Sequence, residues 1–425
     1  MQFRAVKGMN DILPGEVERW QRLESAFISA ARNYGYSEAR PPLVEPTGLF
    51  VRSIGEVTDV VQKEMYTFER GKESLTLRPE GTASCVRAYV EHSVHAREPV
   101  SRWYYLGPMF RAERPQKGRY RQFYQAGCEV YGDLGPAVDA ELVSMLVELF
   151  TSLGITPLRV LVNSVGGKES RARYRQLLLD FLRPKASQLS ELSQQRLEKN
   201  PLRVLDSKHP GDQELVRGAP STVDALEPED REHWQELIQQ LTALEVPFEV
   251  SPSLVRGLDY YSRTLFEIQS TAGDLGAQNT LAGGGRYDGL VKSLGGPEVP
   301  GIGFAMGLER ILLAMKDVKP QPPPGLALVP LGTEPTRAAL ALARELRAAG
   351  LRVTLDGRCN SLKSKLRRVN ASGETLCVVL GDSELERDVL QVKNLAAHNS
   401  EDVPRDQAVT VLKELVKKTF EGADV

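Results

Sequence analysis

The sequence predicts an α+β domain built on an antiparallel sheet, interrupted by a helical insertion and followed by a small α/β domain. Three observations carry this reading. Residues 101–132 alternate aromatic and polar side chains in two runs, RWYYLGPMF and RQFYQAGCEVYG, which is the pattern of a β-hairpin. Residues 166–250 turn rich in charge and glutamine and lose strand alternation until PFEV, so they read as a mostly helical insertion. A proline-rich linker, KPQPPPG at 319–325, precedes alternating strand and helix patterns over 326–425. The expected domains are therefore 1–325, insertion and linker included, and 326–425.

Taken in order, Val17, Trp20, Leu23, Phe27, Ile28 and Ala31 lie near helical spacing, which predicts a helix over 17–34 with Gly35 at its C-cap. SEARPPLVEP reads as a strand broken by proline, suited to an edge or an interface. The hairpin's loop is the basic segment 113–119, and helix returns at 137–152. RTLFEIQS is a strand, and AGGGRYDGL is a glycine-rich turn. GIGFAMGLERILLAM is a strand running into a helix, with Gly303 and Gly307 allowing close packing. Beyond the linker, LALVPLG, LRVTLD, ETLCVVLG and VLQVKNL are strands. PTRAALALARELRAAG, SLKSKLRRVNASG and RDQAVTVLKELVKKTF are helices.

The 425 residues are too many for one ordinary core. With 41% hydrophobic and 26% charged residues, the composition fits a globular cytosolic protein. No run is apolar enough to cross a bilayer, and the N-terminus lacks the apolar core of a signal peptide, so a cytoplasmic location is expected. The cysteines at 85, 128, 359 and 377 form no C-x-x-C pair, which argues against a zinc knuckle or a disulfide framework. A net charge of -2 does not suggest a nucleic-acid partner by itself. Such a partner has to be argued from two local patches: RAERPQKGRYR (111–121) has five basic residues and one acidic, and 352–370 has six and one. Alone, each reads as a solvated basic face.

Four clusters carry candidate chemistry. TLRPEGTAS places Arg78, Glu80 and Thr82 at alternate positions, on one face if extended. The hairpin carries Arg111 in its first strand and Gln125 and Glu129 in its second. LVRGLDYYSRT holds Arg256, Tyr260 and Tyr261, and Arg310 follows the glycines of the strand-to-helix segment. Each has a plain alternative: a structural ion pair, half-buried packing, or a turn. AGGGRYDG is not G-x-G-x-x-G between a strand and a helix, so a dinucleotide-binding reading fails.

Together these segments resemble the class II aminoacyl-tRNA synthetases. The helix and proline-bearing strand at 36–46, with Pro42, resemble the first motif; FRAE (110–113) resembles the second; GFAMGLERILL (303–313) resembles the third. LVRGLDYYSRTLFE and GGGRYDGLV are similar to the two blocks peculiar to histidyl-tRNA synthetases. KGMNDILP, GEVTDVVQKEMYTF, TLRPEGT, RPQKGRYRQFYQ and NPLRVLDSK resemble the bacterial form. Ser262, the triple glycine at 283–285 and Tyr124, where a histidine is common, depart from the pattern without touching a proposed contact.

The resemblance implies the class II catalytic fold with a C-terminal α/β anticodon-binding domain. It implies ATP-dependent ligation of L-histidine to tRNA(His) through a histidyl-adenylate, by a homodimer using ATP and Mg2+. It puts Arg111 on the α-phosphate, Arg119 and Arg310 on the outer phosphates, and Arg256 between the histidine carboxylate and the α-phosphate. Glu80, Thr82 and Gln125 become acceptors for the ammonium. Glu129 meets one imidazole nitrogen, with Tyr261 near the other and Tyr260 and Tyr287 lining the pocket. Gln116, in the basic loop, would face the acceptor end of tRNA. The rivals are a catalytically dead paralogue, the regulatory subunit of ATP phosphoribosyltransferase, and a tRNA-sensing domain without catalysis. The paralogue typically lacks the domain beyond 326, and sensing domains usually sit in longer chains.

Overall fold

The computed structural model describes residues 3–421, apart from 56, 57, 59, 206, 208, 256, 257, 259, 274, 276–278, 316–324, 359 and 360. Alternation sets the hairpin at its centre. Strands Ser101–Phe110 and Gln122–Tyr131 pair antiparallel, from Ser101 opposite Tyr131 to Phe110 opposite Gln122. Ala126, Cys128 and Val130 enter the main core, which leaves Gln125 and Glu129 on the opposite pleat. Gly301–Gly307 pairs with the second hairpin strand and sets Gly303 opposite Glu129. Thr280–Arg286, Ser262–Ser270 and Leu158–Ser164 continue the antiparallel sheet. Ser37–Glu38 and Phe248–Val250 add parallel pairs at its two edges.

Helices Val17–Asn33, Pro136–Ser152 and Pro228–Ala243 cover the sheet's core face with Trp20, Leu23, Phe27, Leu142, Leu146, Trp234 and Leu237. Each large apolar side chain fully buried this way contributes roughly 1.5–3 kcal/mol. The first helix closes where the Tyr34 and Gly35 N–H groups donate to the carbonyls of Ala30 and Arg32.

The stretch 166–250 is mostly helical, but its helices divide between two cores. Tyr174, Leu178, Leu182, Leu197 and Val204 pack into a cluster of their own. Trp234, Leu237 and Leu241 of Pro228–Ala243 instead join the main core. The sequence SEARPPLVEP forms two strands rather than one. Pro41 and Pro42 supply no N–H and break it into Ser37–Glu38 and Val44–Pro46. The second piece enters a separate three-stranded sheet with Glu73–Leu77 and Tyr66–Arg70.

TLRPEGT also departs from its expected shape. The strand stops at Leu77 and a helix starts at Thr82, so Arg78, Glu80 and Thr82 do not share an extended face. Pro79 cannot continue the ladder, and the Glu80 carboxylate accepts the N–H groups of Thr82 and Ala83 at 2.7 and 2.8 Å, opening the helix. Arg78 turns away and donates to the carbonyls of Pro108 and Pro41, both at 3.0 Å.

The second unit spans Lys319–Val425. Positions 319–324 of the linker lie outside the described residues, and Gly325 opens the first strand, Gly325–Pro330. That strand lies between Arg352–Leu355 and Leu376–Leu380, both parallel to it. Val389–Asn394 and Asn399–Pro404 follow antiparallel. The last strand, NSEDVP, has one buried residue and little alternation, so nothing in its pattern announces it. Leu326, Leu328, Leu342, Leu346, Val378 and Leu412 form the core between sheet and helices. Among the described residues no helix is long and apolar enough to cross a membrane.

Candidate active site

A cleft of about 340 Å³ opens on the face of the large sheet away from its helices. Its floor is Gly303, Ala305 and Gly307, small residues alternating with the core-facing Ile302, Phe304 and Met306. Glu80, Thr82, Arg111, Arg119, Gln125, Tyr260, Tyr261, Tyr287 and Arg310 all line it. They come from five separate stretches of sequence. Glu129 lies beneath, fully buried. Gln116 is exposed on the hairpin loop, outside the cleft, where its N–H donates to the carbonyl of Arg119. Arg256, the candidate bridging cation, lies outside the described residues.

One end of the cleft is cationic. Arg111 donates from Nε to the Pro79 carbonyl at 2.9 Å, and its guanidinium stands 5.2 Å from the centre of the Phe123 ring. Arg119 donates to Glu113 at 2.9 Å. Arg310 is held by the carbonyls of Gly118 and Thr280, each at 3.1 Å. Burial, then the charges of Arg119 and Arg111, pull the Arg310 pKa down. Cations that disfavour one another in a walled cleft are stabilised by an anion placed among them.

The other end is a buried hydroxyl–carboxylate set. Glu129 accepts from the Thr82 hydroxyl at 2.7 Å and from the Tyr287 hydroxyl on its second oxygen. The Tyr260 ring packs on Tyr261 and edge-on to Tyr287, with centroids 4.7 and 5.7 Å apart. Among the described residues the buried side-chain oxygen of Gln125 has no hydrogen-bond partner, so an arriving donor would satisfy it. Burial raises the Glu80 pKa, with the backbone N–H groups of Ala83 and Thr82 opposing.

Burial pushes Glu129 up to about 8, against the lowering effect of the Tyr287 and Thr82 hydroxyls and with Glu80 adding to the rise. An unfolded glutamate titrates near 4.5, so between that pH and about 8 the folded chain holds a proton the unfolded chain has lost. This contribution to stability is complete below the lower value and lost as pH rises through the higher one. Glu129→Gln is neutral throughout and lacks the slope. Its melting temperature relative to the parent should therefore climb between about pH 5 and about pH 8.5. A constant offset over that range would show that Glu129 is already ionised in the folded protein.

Sequence reasoning did not single out Phe123, Glu113, Glu267, Thr280 or Glu309, which also line the cleft. Phe123 was within reach, because it sits two residues before Gln125 on the same pleat. Glu309 accepts the Tyr124 N–H at 2.9 Å, and burial raises it to about 7. Only the paired strands bring it there.

The family model described as Histidyl-tRNA synthetase matches residues 8–311, and the one described as Anticodon binding domain matches 326–415. The histidine–tRNA ligase of Sorangium cellulosum is 58% identical, over 97% of this chain and 96% of its own. That of a Geobacillus species is 45% identical, over 97% and 99%. The crystal structure of the apo Staphylococcus aureus histidyl-tRNA synthetase superposes with a TM-score of 0.82 at 34% identity, covering 97% of this chain and all of that one. With two thirds of the chain matched by the family model and near full-length relatives, the chain belongs to the histidyl-tRNA synthetase family.

Proposed function

We infer that this chain activates L-histidine with ATP and transfers the histidyl group to tRNA(His). The observation that carries the reading is a single cleft with three arginines at one end and the buried Glu129, Thr82 and Tyr287 set at the other. A histidine carboxylate oxygen attacks the α-phosphorus, the bond to the β-phosphate breaks, and pyrophosphate leaves. Arg111 holds the α-phosphate, while Arg119 and Arg310 hold the outer phosphates. Arg256 bridges the carboxylate and the α-phosphate. Guanidinium groups suit this work because their charge is permanent and their fork grips two oxygens at once.

Glu80, Thr82 and Gln125 receive the ammonium, Glu129 one imidazole nitrogen, and Tyr261 approaches the other. A side chain without the imidazole nitrogens cannot hydrogen-bond at this end and is rejected by about 10⁴ or more, so the site needs no editing step. Magnesium would accompany the outer phosphates. Glu267 and Glu309 are wall carboxylates that could join phosphate and water around such an ion.

Gln116 and the loop 114–119 approach the acceptor end of tRNA. Residues 326–425 bind the anticodon, with basic side chains on phosphates and base contacts giving specificity. Leu43, Val44 and Phe68, exposed on and beside the small sheet, support a homodimer through the first-motif region. The regulatory-paralogue reading is disfavoured because the arginines and Glu129 occupy one site and the anticodon-domain match is present.

Histidine-dependent exchange of pyrophosphate into ATP tests the reading; exchange absent in a folded, tRNA-binding chain would reject it. A second prediction concerns the domains. A chain ending near Gly325 should still form adenylate but charge tRNA poorly, with its oligomeric state checked alongside. Truncation that abolished adenylate and left tRNA binding intact would refute the division of labour.

A further inference from the structure

We propose that Asp139, outside the cleft, is a positioning residue for histidine selection: through Arg286 it holds the Tyr287 hydroxyl against Glu129. The proposal rests on reading Glu129 and Tyr287 as the imidazole end of the site.

Arg286 ends the strand Thr280–Arg286, and Tyr287 follows it directly. The Arg286 side chain is fully buried, and so is Asp139. Nε donates to Asp139 Oδ2 at 3.0 Å, and Nη2 lies 2.7 Å from Asp139 Oδ1. Nη2 also donates to the Gly135 carbonyl at 2.6 Å, and Nη1 to the Asp133 carbonyl at 2.9 Å. Nη1 completes the set with a long bond of 3.4 Å to Asp288. The Thr264 hydroxyl donates to Asp139 at 2.5 Å, and His233 Nε2 lies 3.6 Å from the same carboxylate.

This geometry ties two chain segments together just past Glu129 and Tyr287. Asp133 and Gly135 follow the strand that carries Glu129, and Asp139 sits in the first turn of the helix Pro136–Ser152. Arg286 belongs to the strand that delivers Tyr287. A guanidinium with carbonyl and carboxylate partners on one segment and its own backbone on the other fixes their separation. Four residues away on one side and one on the other, Tyr287 meets Glu129. The Tyr287 N–H donates to the Gly301 carbonyl at 2.8 Å, a second hold on the backbone that carries the ring. An ion pair this deep is expensive in desolvation and does not in itself add stability, whereas fixing geometry is a use it can serve.

The test is a double-mutant cycle in pyrophosphate exchange with the full-length chain. Asp139→Asn keeps the shape of the side chain and removes its charge. It should raise the Michaelis constant for histidine about fivefold or more, with that for ATP unchanged. In a Tyr287→Phe background the same change should add less than about twofold, because its route to the substrate is already cut. A purely structural ion pair would instead shift both substrates, or act additively with Tyr287→Phe, and either result overturns the proposal. If Asp139→Asn does not fold, Thr264→Val weakens the same carboxylate's hold with its charge kept and goes through the same cycle. Glu129→Gln separates the two ways of failing. If it raises the histidine constant and Asp139→Asn does not, the clamp is wrong and the imidazole reading stands. If neither moves it, both fall.

Discussion

Arg111→Ala should slow adenylate formation by about 10²–10³ while histidine affinity changes little. The guanidinium is fixed before substrate arrives, by the Pro79 carbonyl at 2.9 Å and by the Phe123 ring beneath it. Charge that builds on the α-phosphorus as the carboxylate attacks would meet a cation that need not reorganise. An interaction stronger in the transition state than in the ground state lowers the barrier more than it improves binding. Arg111→Lys should recover only part of the rate, because an ammonium cannot grip two oxygens in one plane. Rapid-quench measurement of adenylate, with histidine binding measured separately, checks this. A folded Arg111→Ala enzyme that forms adenylate at the parental rate would reduce Arg111 to a partner of Pro79.

The parts of the site that sequence reveals are those fixed by local periodicity. Gln125 and Glu129 were legible because a strand repeats every two residues, and four positions apart means one face. Arg111 and Arg310 were legible as residues of recognised segments, but their approach to Arg119 depends on the strand Gly301–Gly307 pairing with the hairpin. Alternation puts Glu80 and Thr82 on one face only if the segment is extended; Pro79 ends the strand, and the Glu80 carboxylate caps a helix instead. The insertion shows the same limit at larger scale. Helical periodicity reveals that Trp234 and Leu237 share a face, but not that this face packs on the main sheet while Tyr174 and Leu178 build another core. Asp139 and Arg286 stand 147 positions apart, and neither carries a local signal of the other.

Gly303→Ala should raise the Michaelis constant for histidine on the order of 10² or more, with a far smaller change for ATP. Gly303 lies directly opposite Glu129 in the antiparallel ladder. A β-carbon there would stand 1.8 Å from Glu129 Oε2 and 2.6 Å from the Cys128 carbonyl oxygen. The second contact is backbone within a paired strand, so the sheet cannot relieve it by a side-chain rotation. The carboxylate has to move instead, and with it the hydroxyl bonds from Thr82 and Tyr287 that aim it. Overpacking of this kind also costs about 1–3 kcal/mol of stability, so melting and activity must be read on the same samples. Gly289→Ala is the matched control. It lies in the GGGRYDGLV segment that carries Tyr287, nothing comes within 4 Å of its added carbon, and it should leave the histidine constant unchanged. If Gly303→Ala folds and binds histidine as the parent does, Glu129 can shift freely without loss, and its place beneath the cleft is packing rather than recognition.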